Sequence, residues 1–475
     1  MKALKKLLRG RFGLNGLRPG QREVIDSVLA GRDTLAIMPS GAGKSLCYQL
    51  PTLHMRGTTI VVSPLIALMK DQADKLGKRG VAAAAVNSAL RQRELREAMR
   101  RIREAKADFI FTTPEQLANP AFVEKLKVKP IDLFVVDEAH CITQWGHDFR
   151  PAYGGLGAAL RTLGNPTLLA LTATATADVI EDIGRQLGRP RMRVLNAGVY
   201  RPNLYFEVLQ TTNEAEKKQA LLEVVRSGGA GIVYCATVKE TKALHAWLAA
   251  QGEDAQLYHG RLPGRERAER QDDFMSGKAR TMVATNAFGM GIDRSDIRYV
   301  VHYQLPGSLE AYYQEAGRAG RDGEDARCTL LYDHGDRRVQ LYFARKRSKV
   351  EEMTAYARRT QCRWKMILGH FGEEIDGDTD CGACDNCVQR GGDPVARTLR
   401  IKAQPRLKKG DAVRVPKYGR GTVDKVHDDR IVVAFARGET REFEPRYVVR
   451  APSPRVIIER RLKEARRGSA AKRTD

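Results

Sequence analysis

Residues 34–45 read Thr34-Leu35-Ala36-Ile37-Met38-Pro39-Ser40-Gly41-Ala42-Gly43-Lys44-Ser45. The apolar start predicts a buried strand over 34–39. Ser40, Gly41, Ala42 and Gly43 are small enough for successive backbone N–H groups to turn inward around a phosphate. Lys44 is placed to reach the β- and γ-phosphates, and the Ser45 hydroxyl to bind Mg²⁺. The general pattern has an earlier glycine where Met38 stands. A chance Gly-rich turn is the competing reading, and the preceding strand argues against it.

Working outward, short apolar runs at 58–63, 109–113, 133–137 and 167–172 predict further buried strands. Helical patterns such as 91–103 separate them, which predicts a parallel sheet with crossover helices. The pattern restarts after Arg201-Pro202-Asn203, with strands expected at 231–235, 281–285, 299–303 and 328–332. Pro202 marks a candidate hinge. Residues 333–368 read as helical and polar, 388–409 as a basic linker, and 409–450 as short β-rich runs broken by glycine. The expected organisation is two α/β halves at 1–200 and 201–338, a small module at 339–392 and a linker at 393–407. A small barrel at 408–451 and a basic tail at 452–475 follow.

Composition narrows the partners. The chain has 475 residues and 42 % hydrophobic content, enough for three or four domains. No stretch approaches the ~18 apolar residues of a membrane span, so no membrane role is expected. The basic start, Met1 to Lys6, meets Arg9, Gly10 and Arg11 instead of an apolar core, which argues against a signal peptide. The net charge of +24, from 81 basic and 57 acidic residues, attracts polyanions, nucleic acid first among them. A merely basic surface or tail is the alternative.

A second motif, Asp137-Glu138-Ala139-His140, ends the 131–136 run. An acidic pair there suits nucleotide hydrolysis: Asp137 holding Mg²⁺ through water, Glu138 polarising the attacking water, His140 sensing the γ-phosphate. Solvated acids at a strand end are the alternative. Leu171-Thr172-Ala173-Thr174-Ala175 ends another strand, where its hydroxyls could couple two halves; Thr176 equally suits a helix cap. In the second half, Gln314 lies just ahead of Arg318 and Arg321, which are three residues apart on one helical face. An arginine reaching across a cleft neutralises charge in phosphoryl transfer. A basic helix on nucleic acid is the other reading of this segment.

Of eight cysteines, Cys362, Cys381, Cys384 and Cys387 lie close in sequence. The pattern does not read as a disulfide framework and points to a reducing compartment and one metal site. Four thiolates make a closed structural Zn²⁺ site; an iron–sulfur cluster is the competitor.

These motifs, in this order, resemble the RecQ family of superfamily-2 helicases over about residues 12–388. The stretch Pro39 to Ser45 then fits a P-loop variant common in helicases. Arg18 and Gln21 resemble the family's adenine-reading motif, although Leu14 stands where an aromatic stacker is usual. Pro64 lies in a stretch resembling a DNA-contacting motif, and Thr285 in one resembling the motif that joins ATP to DNA. Residues 141–153 resemble the aromatic-rich loop that couples DNA to hydrolysis, with Trp145, His147, Phe149 and Arg150 as DNA contacts. Trp145 and Phe149 offer π-faces to unpaired bases, and burial in a core is their alternative. The order of the cysteines resembles the RecQ zinc module.

The resemblance implies two RecA-like domains with ATP, Mg²⁺ and Zn²⁺, and 3′→5′ movement on single-stranded or forked DNA in repair and recombination. It also implies a bacterial cytoplasmic, nucleoid-associated protein. Residues 409–436 look instead like a Tudor- or SH3-like barrel similar to that of UvrD-type helicases, a candidate docking site for a protein partner. There is no room for the usual winged-helix and HRDC domains, so limited unwinding is expected. The rival reading is a DNA-binding or annealing factor whose ATPase is only a switch.

Overall fold

The computed structural model describes residues 2–143, 150–289, 292, 294–343, 347–373, 381–389, 409–415, 419–426, 431–435, 439–443 and 449–450. The first half holds β1 (Thr34–Ile37), β2 (Thr58–Val62), β3 (Ala83–Val86), β4 (Phe109–Thr112), β5 (Ile131–Val136), β6 (Thr167–Thr172) and β7 (Arg193–Asn196). They form one parallel sheet in the order β3-β4-β2-β5-β6-β1-β7. Alternate residues face two cores, Leu35, Ile60 and Phe134 on one side and Ala36, Val61 and Leu133 on the other. Burial on both faces explains why these strands read as unbroken apolar runs.

The second half holds β8 (Leu204–Gln210), β9 (Ala230–Tyr234), β10 (Ala255–Tyr258), β11 (Thr281–Ala284), β12 (Ile297–His302) and β13 (Ala326–Tyr332). They form a parallel sheet in the order β10-β11-β9-β12-β13-β8. Two tandem parallel sheets with helices on both faces are the expected RecA-like pair. The sequence reading named every inner strand and none of β3, β7, β8 and β10, which are the four sheet edges.

Residues 333–368 are helical as expected, in Asp336–Phe343, Arg347–Arg358 and Arg363–His370. Their polar character is only half the description. Val350, Met353, Tyr356, Trp364, Ile367 and Leu368 are buried in the same core as β8 to β13. The cysteine segment then lies along the open edge of β8: Phe206 bridges Cys384, and Val208 N–H donates to Asp385 at 2.9 Å. An edge strand left bare is a template for aggregation, and this segment covers it.

An ionic cluster ties these helices to Leu309–Ala316. His370 Nδ1 lies 2.6 Å from Glu352, its Nε2 lies 3.3 Å from Glu310, and Lys349 reaches Glu310 at 2.8 Å. Burial disfavours a charged His370, but Glu310 and Glu352 outweigh it and push its pKa up to about 9. A free imidazole titrates near ~6.5, so this contribution is full below that pH and is lost as pH rises through about 9. The thermal midpoint should therefore fall over that window by more in the wild type than in His370→Gln, by about 1 kcal/mol of stability. Equal slopes in calorimetry would remove His370 from the account.

The described residues between 409 and 450 belong to a separate compact unit. It holds β14 (Ala412–Val415), β15 (Gly419–Val426), β16 (Ile431–Phe435), β17 (Thr440–Phe443) and β18 (Val449–Arg450). They make an antiparallel sheet in the order β17-β16-β15-β14-β18 around Val413, Val423, Ile431 and Val433. Among the described residues no pairing joins β17 to β18, so the expected barrel is supported only as far as a five-stranded antiparallel sheet. The linker at 393–407 and the tail at 452–475 lie outside the described residues.

Candidate ATP site and zinc centre

The chain leaves β1 through Met38 to Ser45 and enters the helix Leu46–Thr52. Gly41 (φ 84) and Gly43 (φ 77) adopt left-handed backbone, which a side chain would strain. A Cβ on Gly43 would also stand 2.6 Å from Gln21 Nε2. Gln21 is buried; its Nε2 donates to the carbonyls of Ala42 and Gly43 at 3.0 Å each, and its Oε1 accepts from Arg18 N–H at 2.8 Å. The Arg18 guanidinium donates to the Gly41 carbonyl. Both amide hydrogens of Gln21 are thus spent on the loop, leaving one acceptor position on Oε1 for a base. Lys44 Nζ donates to the Met38 carbonyl at 3.3 Å, and Leu14 is exposed.

The acidic pair ends β5. Burial, then the adjacent Glu138, push the Asp137 pKa up to about 7, while Lys44 acts the other way. Lys44 thus stands near enough to Asp137 to act on its charge, and with Ser45 these are the residues that would hold Mg²⁺ and phosphate. Glu138 sits in left-handed backbone (φ 48), an uncommon conformation for a side-chain residue that tends to mark functional sites. Its carboxylate lies 3.4 Å from His140 Nδ1, which lies 3.1 Å from Thr172 Oγ1. The Thr172 hydroxyl donates to the Thr174 carbonyl, so His140 must donate from Nδ1. Gln314 Nε2 donates to Thr174 Oγ1 at 3.4 Å, which carries the contact chain from Glu138 into the second half. Thr176 is the N-cap residue of Ala177–Gln186 but makes no side-chain cap bond.

Across from the P-loop stands the turn after Leu309–Ala316. A Cβ on Gly41 would lie 3.4 Å from the Arg321 main chain, and one on Gly317 would lie 3.9 Å from Ser40 Cβ. The two guanidinium groups are held by their own domain: Arg318 donates to the Gly289 carbonyl, and Arg321 to the Ile292 carbonyl at 2.7 Å. Thr285, at the start of that segment, is buried and accepts from Ala287 N–H at 3.4 Å.

The expected DNA loop is pinned at its described end. Arg150 donates to the Pro64 carbonyl at 3.4 Å, and the Tyr153 hydroxyl donates to the Asp137 carbonyl at 3.1 Å. Tyr153 was not among the expected site residues, and no sequence signal links its hydroxyl to residue 137. Trp145, His147 and Phe149 lie outside the described residues.

The sulfurs of Cys362, Cys381, Cys384 and Cys387 lie within 4.8 Å of one another and all are buried. Hydrogen bonds among the thiols hold Cys362 well below its ordinary pKa and push Cys381 and Cys384 above theirs, so the sulfurs share their protons as one cluster. Arg363, next to the first ligand, donates to both oxygens of Asp385 at 2.9 and 3.0 Å and orients the site. Outside the cluster, burial pushes Cys47 and Cys328 up to about 12, which makes these two inert core thiols.

A P-loop, an acidic strand end and an arginine-bearing turn, shared between two RecA-like halves, define a nucleotide-driven motor of the helicase class. The DEAD/DEAH box helicase family matches residues 18–183, the helicase conserved C-terminal domain residues 216–323, and the RecQ zinc-binding family residues 334–388. The probable ATP-dependent DNA helicase RecS of Bacillus subtilis (strain 168) is 44 % identical over 72 % of this chain and 69 % of its own length. The ATP-dependent DNA helicase RecQ of the same organism is 42 % identical over 81 % of this chain and 66 % of its own length. This chain belongs to the RecQ family of ATP-dependent DNA helicases, and its four clustered cysteines are the zinc ligands of that family's module. It spans about two thirds of the length of these two relatives. The solved structure of Mycobacterium smegmatis helicase Lhr bound to ssDNA and AMP-PNP is similar in fold (TM-score 0.56, 19 % identity, 93 % of this chain and 59 % of that one).

Proposed function

We propose that this chain hydrolyses ATP in response to single-stranded DNA and uses the cycle to move 3′→5′ and open duplexes, in DNA repair and recombination. The observation that carries the reading is the placement of the Gly317–Arg321 turn directly against Ser40 and Gly41. A nucleotide there touches both halves, so its hydrolysis can alternate their grip on a strand. Lys44 and Arg18 orient the phosphates and the loop. Glu138 takes a proton from the attacking water, and His140 stabilises that carboxylate and passes its state through Thr172 and Thr174 to Gln314. Bound Mg²⁺, held by Ser45 and Asp137, supplies charge neutralisation at the phosphates. Arg318 and Arg321 must leave the Gly289 and Ile292 carbonyls to reach developing charge. Arg150 and Pro64 carry the DNA state to Asp137 through the short segment ending at Tyr153.

In this reading the chain acts on the bacterial nucleoid, and the antiparallel sheet of β14 to β18, in the likeness of a Tudor or SH3 module, docks a protein partner. The test is strand displacement on duplexes with single-stranded tails of either polarity. Only 3′-tailed duplexes should open; opening of neither would leave the annealing reading in its place. Trp145→Ala should keep single-strand binding within about twofold but lower DNA stimulation of the ATPase at least about tenfold. Equal stimulation would remove the loop from the coupling.

A further inference from the structure

Arg201 lies in the connection between β7 and β8, away from every recognised motif, yet it is buried (7 % exposed). One guanidinium nitrogen donates to the Gly317 carbonyl at 2.7 Å; the other donates to Ala319 at 2.8 Å and to Gly320. Among the described residues no carboxylate forms an ion pair with it; the hydrogen-bonded carbonyls, with the more distant charge of Asp322, compensate a buried cation. Burying a charge without hydrogen bonds costs several kcal/mol, roughly. Such an arrangement persists only where the acceptors are fixed, and it fixes them in return.

The acceptors are the main-chain oxygens of one short turn. Helix Leu309–Ala316 ends there, leaving carbonyls that need partners and a negative dipole end that favours a cation. The connection grips this turn elsewhere too. Asn203 Nδ2 donates to Gly320 at 2.8 Å and Glu324 at 2.7 Å, and the Tyr313 hydroxyl donates to the Val199 carbonyl. Gly320 is left-handed (φ 55), and a Cβ there would stand 2.4 Å from Asn203 Nδ2. The gripped turn carries Arg318 and Arg321 and rests on the P-loop.

We propose that Arg201 is a positioning residue for the arginine pair: it locks the inter-domain connection to the 317–321 turn, so that rotation of one half against the other sets where Arg318 and Arg321 stand. This deepens the proposed ATPase cycle and rests on it. A lysine can reach one or two of these carbonyls but lacks the planar fork that spans three. Arg201→Lys and Arg201→Gln, with Arg318→Ala and Arg321→Ala as comparators, should be measured in full-length protein for DNA-stimulated ATPase.

For Arg201→Gln we expect kcat to fall about 10–100-fold, with KM for ATP and the Kd for single-stranded DNA within about twofold. Arg201→Lys should recover part of the loss. A second readout separates positioning from plain destabilisation. Affinity for ADP with aluminium fluoride, which mimics the transition state, should fall with kcat, while affinity for ADP alone is kept. Should Arg201→Gln fail to fold, Asn203→Ala, which removes only the outer clamp, must show the same split in milder form. An unchanged kcat, or parallel losses of ADP binding, DNA binding and kcat, would overturn the inference. If the two comparators keep full kcat, the arginine pair itself is misassigned and the proposed cycle fails at that step.

Discussion

Glu138→Gln should lower steady-state ATP hydrolysis by about 10²–10⁴-fold, the usual worth of a general base, while nucleotide binding stays within a few-fold. The substitution keeps the shape and the left-handed turn at residue 138 but removes the basic oxygen. Burial and Glu138 together push Asp137 up to about 7, so removing the neighbouring charge should favour the ionised Asp137. Binding should therefore survive or tighten. Single-stranded DNA should accumulate in complex with the ATP-bound variant, because the contacts from His140 through Thr174 to Gln314 remain intact. Hydrolysis within about threefold of the wild type in a phosphate-release assay would show that another group activates the water. A loss of ATP binding equal to the loss of rate would show that Glu138 holds the site together instead.

Cys384→Ser should have the larger effect on stability. Zinc content should drop from one ion per chain to near none, and unfolding should not stop at the zinc module. Structural zinc contributes about 10–16 kcal/mol in small metal-dependent domains, comparable to the whole net stability of a typical protein. Here the ligands are buried in the core that also packs β8 to β13. Cys384 pairs with Phe206, and Trp364 donates to the Leu204 carbonyl at 3.3 Å, so loss of the metal frees the edge of β8 as well. The expected result is aggregation, or a melting point lower by at least about 10 °C, with loss of ATPase although no cysteine touches nucleotide. A variant lacking zinc but retaining the wild-type melting point would mean that the packed helices suffice without the metal.

The sequence alone determined the class of fold and the zinc ligands, and it marked most of the residues proposed for the ATP site. These depend on local chemistry. A phosphate loop needs small residues in succession, a hydrolytic strand end needs adjacent acids, and a metal needs thiols at short spacing. Inner strands were legible because burial on both faces selects unbroken apolar runs. The edges were not: Ala83–Val86 is mostly alanine, Arg193–Asn196 is largely exposed, and Leu204–Gln210 carries Glu207 in its middle. With one side unpaired, such strands take mixed residues and lose the signal.

Tertiary structure alone decided how distant pieces meet. Nothing near Arg201 announces that it will grip residues 317–320, nothing near Tyr153 names the Asp137 carbonyl, and nothing in Cys384 foretells its place on β8. Nor does the stretch around Gln21, which resembles an adenine-reading motif, foretell that its amide also holds the Ala42 and Gly43 carbonyls. Each of these contacts joins segments that sheet order and crossover packing bring together. The partners are main-chain groups that every residue carries, so no pattern of side chains along the chain could have marked them in advance.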